Sequence, residues 1–147
     1  MLVMKFAGTT TSDAEYGEIV EALKQMHRDA NGRVAFGVII VPKGHAAPNA
    51  YWRSRFADAH LNRTGRYLFA LVTENPLIRG VFTAVKWLMR DKNNYHGCAL
   101  ATFDDAVVAF EKIEGRQLDQ LRALLTVAEA DLRKRRPHLE SKEAGAT

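Results

Sequence analysis

The chain has 147 residues, 47% hydrophobic and 26% charged, with a formal net charge of +4, which is ordinary globular usage and leaves room for one domain around one core. There is no apolar run of about 18 residues to span a bilayer and no secretory leader pattern, and a single cysteine, Cys98, excludes an internal disulfide framework or a multi-cysteine metal site. A cytoplasmic protein is therefore expected, with a charge balance too mild to demand an acidic partner.

Residues 2–7 (LVMKFA) read as a first strand. The following GTTTSDAE is a turn and a helix start, because Ser12 and Glu15 have the spacing of a capping box. Tyr16, Ile19, Val20, Leu23 and Met26 then recur at helical spacing, and Asn31-Gly32 ends that helix. Residues 33–41 (RVAFGVIIV) are continuously apolar and β-branched, the composition of a strand buried on both faces. After the loop PKGHAAPNA a second helix is expected near 49–62, with Tyr51, Trp52, Phe56, Ala59 and His60 on or near its apolar side. A third strand covers 67–73. Asn75-Pro76 reads as the cap and first residue of a third helix at 76–90. That helix carries one stripe of Leu77, Val81, Ala84, Val85 and Leu88, a second of Ile78, Phe82 and Met89, and Trp87 besides. An apolar arc so wide predicts heavy packing or an interface.

A weaker fourth strand at 95–103 leads to a helix at 105–113, capped by Thr102 or Asp104. A last helix at 115–135 ends in a basic run, Arg133–Arg136, before a polar tail at 137–147 expected to be disordered. Strict alternation of strand and helix implies an α/β domain over 1–114, its four-stranded, mainly parallel sheet built from successive βα units. Residues 115–136 form an extra C-terminal helix. Its seam of Leu118, Leu121, Leu125, Ala128 and Leu132 lacks an obvious partner if the first four helices already cover the sheet. A homodimer through that seam is expected.

Sites in open α/β sheets gather where strands end and helices begin. Thr10, Thr11, Lys43, His45 and Arg79 fall at such positions and could hold a phosphate or carboxylate, although hydroxyl residues there also serve simply as caps. His45, in a glycine-flanked loop, is expected to be exposed and not catalytic. Cys98, mid-strand, reads as inert packing. GxGxxG, GxxxxGK[ST] and GxSxG motifs are missing, and none of the five histidines stands at ligand spacing from another donor. Neither a cofactor nor a metal is expected, and enzyme activity is not. Basic residues such as Arg53, Arg63, Arg66, Arg90 and Lys92 are offset by acidic neighbours, so a nucleic-acid partner is not expected.

From the third helix onward the sequence resembles small bacterial STAS-like proteins, relatives of anti-sigma-factor antagonists. ENPLIRGVFTAVKWL follows a strand, and Phe103, Asp104, Asp105, Ala106, Phe110 and Ile113 keep the rhythm of that group's last strand and closing helix. The resemblance, over 1–114, implies four βα units with strand order 1-2-3-4 and a regulatory module acting through protein contacts. The antagonists carry a phosphorylated serine or threonine at the start of the second helix. The matching VPKGHAAPNAYWRS has no Asp-Ser pair, only Tyr51 and Ser54 as hydroxyls, and the phosphosite is not carried over. The expected interaction surface is Ile78, Phe82 and Trp87 on the third helix with Leu118, Leu121, Leu125 and Leu132 on the last. A small-molecule or anion site at the strand-end loops is the alternative.

Overall fold

The computed structural model describes the backbone of residues 1–61, 64–88 and 94–144, and their side chains except those of 88, 132 and 135–144. The elements alternate as β1 (Leu2–Lys5), α1 (Asp13–Ala30), β2 (Ala35–Ile40), α2 (Ala50–Asp58), β3 (Tyr67–Val72), α3 (Pro76–Leu88) and β4 (Tyr95–Leu100), followed by α4 (Phe103–Glu114) and α5 (Asp119–Ala144). All strand pairs are parallel, in the order β1-β2-β3-β4. This is the α/β architecture that the alternation of apolar runs implies.

Local chemistry fixes the ends of the elements. The Glu15 amide donates to Ser12 Oγ at 3.3 Å and the Ser12 amide to Glu15 Oε2 at 2.7 Å, closing the capping box. Asn31, with φ of 45°, ends α1 in the left-handed region. Asn49 Oδ1 accepts from the Trp52 amide at 3.0 Å to open α2. The helix then stops short of the expected residue 62. The amides of His60 and Leu61 bond back to Ala57 and Asp58, tight turns that bring His60 into the core. Thr102, rather than Asp104, caps α4 through the Asp105 amide at 3.1 Å.

Strand order and handedness together dictate the layers. Each step from β1 to β4 moves in the same direction, and right-handed crossovers then place every connecting helix on the same face. Accordingly α1, α2 and α3 share one face. Their buried side chains meet Ala35, Ile39, Tyr67, Phe69 and Leu71. The opposite face, with Phe36, Val38, Leu68, Ala70 and Val72, is left to α4 and α5.

The unpartnered seam is therefore corrected. Leu118 and Leu121 are fully buried against the second face, and Leu125 is half-buried against the same cluster. One helix does not cover four strands, and α5 folds back because α4 alone leaves apolar sheet uncovered. It lies along β1, where Lys5 Nζ meets Glu129 Oε1 at 3.0 Å. The side chain of Leu132 lies outside the described residues. The described backbone of α5 runs through Pro137 to Ala144, into the segment expected as a polar tail. The residues after the proline (HLESKEA) are mostly good helix formers.

The third helix is packed over only part of its apolar arc. Ile78 and Phe82 are buried, Val81, Ala84 and Val85 only half-buried, and Leu77 and Trp87 exposed. It leans on α2 and reaches the sheet mainly at β4, where Lys86 Nζ donates to the Gly97 carbonyl at 3.0 Å. A hollow lies beneath it.

Candidate apolar cavity and its polar rim

The hollow has a volume of about 80 Å³, and its walls are almost wholly apolar. Ile39, Val41, Phe69 and Leu71 form its floor on the sheet, and Ile78, Val81, Phe82 and Val85 its roof on α3. Tyr16 and Leu23 of α1 and Phe56 of α2 close one side. Phe6, His45, Ala46 and Pro48 stand at the end where β1 and β2 finish, and Tyr95 and His60 at the end where β4 begins. The cavity thus runs along the strands.

Its floor has a particular construction. Phe69 pairs with Gly37 on one side and Gly97 on the other. A side chain at Gly37 would collide with the Tyr67 ring, and one at Gly97 with the ring of Tyr95. The two glycines are notches in which tyrosines from the preceding row lie against the sheet. His60, 4% exposed, joins them, its ring centroid 4.8 Å from that of Tyr67, and its Nδ1 is 2.7 Å from Nε2 of His27.

The other end is where the sequence places a ligand site. The loops after β1, β2 and β3 are stitched together: the Ala46 amide donates to Thr9 O at 2.7 Å, and Asn75 Nδ2 donates to Lys43 O at 2.9 Å and His45 O at 3.3 Å. His45 is 2% exposed, not open to solvent as a loop histidine is expected to be. Loop 43–46 folds inward, and its ring meets Phe6 with centroids 4.9 Å apart. Nδ1 lies 2.8 Å from the Ala46 carbonyl and Nε2 2.9 Å from Thr11 Oγ1. Burial pushes the Tyr16 phenol above the ordinary value, the Thr11 hydroxyl opposes the rise, and the carboxylates of Asp13 and Glu15 add to it.

The five residues expected to form an anion site are placed differently. Thr11 and His45 meet, but Thr10 and Lys43 are exposed. The guanidinium of Arg79 turns back to donate to the Thr73 carbonyl at 3.0 and 2.9 Å. The expected interaction surface is divided as well. Ile78, Phe82, Leu118 and Leu121 serve their own core, Leu125 is half-buried, and among the described members Trp87, 75% exposed, is the open one.

Several basic residues have intramolecular partners. Arg66 pairs with Glu114, Arg122 with Asp104 at 2.8 Å, and Arg53 donates to Pro48 O. Arg63, Arg90, Lys92 and Met89 lie outside the described residues. Burial raises the thiol of Cys98 against the opposing field of Lys86, and its Sγ contacts the Phe69 carbonyl at 3.7 Å. Among the described residues no helix is long and apolar enough to cross a membrane, and no cluster of three metal-binding side chains occurs.

Comparison with protein-family models, curated proteins and solved structures returned no significant match to this chain.

Proposed function

We propose that the chain is a binding domain for a small, mainly apolar molecule that enters between α3 and the sheet. The observation that carries this reading is the cavity itself, a hollow lined by Phe69, Leu71, Phe82 and Val85 in a domain whose other face is closely packed. Protein interiors contain few voids of this size. Its 80 Å³ is smaller than an engineered apolar cavity of about 150 Å³ that takes up benzene. A ligand of a few carbon atoms fits it as it stands, and a longer chain requires α3 to move outward. Xenon and propane titrations followed on the methyl groups of Ile78, Val81 and Val85 test the reading. Saturable shifts confined to lining residues, lost in Val85→Phe, are expected. Wild-type methyl signals unmoved to the solubility limit overturn it.

A second reading, a regulatory module that binds another protein as the STAS-like resemblance implies, is favoured by Trp87 and Leu77 standing 75% and 65% exposed on α3. Its discriminating variant is Trp87→Lys. This change leaves the xenon shifts intact in either case, and it lowers affinity for a protein partner only if the outer face of α3 is the docking surface.

A further inference from the structure

The two edges of the sheet are finished differently. α5 lies along β1, whereas β4 has β3 on one side and, among the described residues, no strand on the other. The Tyr67 amide donates to Asn94 O at 2.7 Å and the Thr73 amide to Leu100 O at 2.9 Å, so the even-numbered backbone groups of β4 face β3. The amides and carbonyls of Tyr95, Gly97 and Ala99 therefore face away from the sheet. Lys86 of α3 reaches over this rim, its Nζ donating to the Gly97 carbonyl at 3.0 Å. The strand itself (YHGCAL) has no lysine, arginine, carboxylate or proline, the residues that commonly keep an edge from pairing. Its residues are half-buried or exposed, where those of β3 are all buried.

This outward row fits a copy of itself. With two β4 strands antiparallel and Gly97 opposite Gly97, Tyr95 faces Ala99 at both ends, and all three pairs exchange backbone hydrogen bonds. Each Tyr95 ring lies over its own Gly97 and has only a methyl group across from it. On the other face His96 comes opposite Cys98, so no like charges oppose one another. Sliding the pairing by two residues sets His96 against His96 or Cys98 against Cys98 and leaves one outward residue of each strand unmatched. A peptide of arbitrary sequence brings no such match, and a second copy always does.

We propose that the chain forms a twofold dimer through β4, joining two four-stranded sheets into one continuous sheet. The contact is distinct from the α5 seam, where Leu118 and Leu121 are buried in their own core. Lys86 is the gate on it. Its ammonium leaves the Gly97 carbonyl when the Gly97 amide of the second copy takes that place, so association competes with one charged hydrogen bond. Twofold pairing consumes both β4 edges, and α5 lies along the β1 edges that remain, so assembly stops at two.

Sedimentation equilibrium of the full chain, from micromolar to millimolar concentration, should show the mass rise from monomer to dimer and no further. Lys86→Met keeps the alkyl stem, removes the competing donor and should tighten the dimer about tenfold. Ala99→Pro deletes one outward amide, leaves the bonds to β3 in place and should loosen the dimer about tenfold or more. Its melting curve beside that of wild type separates this loss from unfolding. The register is read with His96→Cys, in which mild oxidation should link position 96 to Cys98 of the second copy, a directly opposed pair. Peptide mapping distinguishes that link from one between two copies of Cys98. Wild type and Lys86→Met both monomeric throughout overturn the proposal. So do a Lys86→Met dimer no tighter than that of wild type, a dimer undisturbed in folded Ala99→Pro, masses beyond the dimer, or oxidation that never joins position 96 to Cys98.

Discussion

On the face covered by α4 and α5, Val38, Leu68, Ala70, Ala106, Val107, Phe110 and Leu121 have no exposed surface, whereas on the other face three helices leave a hollow above the same four strands. The number of helices does not decide how well a core closes. α4 sits over the middle of the sheet, with the rings of Phe36 and Phe110 5.9 Å apart, while α5 lies beside it along β1. On the first face, α1 and α2 are locked together by the Trp52 indole, which donates to Asp13 at 2.6 Å and stacks on Tyr16. The third helix is held mainly by its neighbour and the sheet edge. The apolar hollow thus lies on the face where α3 reaches the sheet mainly at its edge.

The severest way to break this comparison is to end the chain at Gly115. Without Leu118 and Leu121 the second face is open on the β1 side, and the truncated chain should show no cooperative urea transition. A folded, soluble truncation would show that α5 is dispensable. Phe110→Ala comes next, expected to cost about 3–5 kcal/mol in urea melts because its surroundings are closed on every side. Val81→Ala should cost about 1 kcal/mol or less, since Val81 is half-buried beside space that already exists. A loss as large as that of Phe110→Ala would show the hollow to be filled in solution.

The smallest effect concerns pH. Burial, more than any other cause, raises the Tyr16 phenol above its ordinary 10.0. Its contribution to stability is therefore complete below that value and is lost as pH rises through the higher folded-state value. Urea midpoints of wild type should fall above pH 10, and those of Tyr16→Phe should fall less. Parallel curves would remove Tyr16 from the account.

Much of the fold was legible in the residues. The runs RVAFGVIIV and YLFALVT are parallel central strands, and Ser12, Asn31 and Thr102 mark helix ends because capping is a short-range interaction. The fate of α5 was harder to read, although the information was there. Strand order with right-handed crossovers commits three helices to one face, and counting four helices against two faces hides that. The site was legible only in part. Thr11 and His45 were indicated by their strand-end positions, but their hydrogen bond spans 34 residues. The cavity-lining Tyr16, Phe56, Val81 and Tyr95 carry the same apolar signature as core residues. The glycines flanking Phe69 were the available clue, visible once strand register paired Gly37 and Gly97 with that ring.

The division of labour between the faces also sets an order of events during synthesis. A nascent chain that has just completed β4 has every helix needed for its first face and none for its second. Phe36, Val38, Leu68, Ala70 and Val72 remain open until Phe103–Phe110 and then Leu118–Leu121 leave the ribosome, which at about 5–20 residues per second takes seconds. The contact between Lys5 and Glu129, 124 positions apart, forms only after that. The first strand made is among the last to be secured, and during that interval a chaperone or a neighbouring nascent chain would meet the bare second face of the sheet.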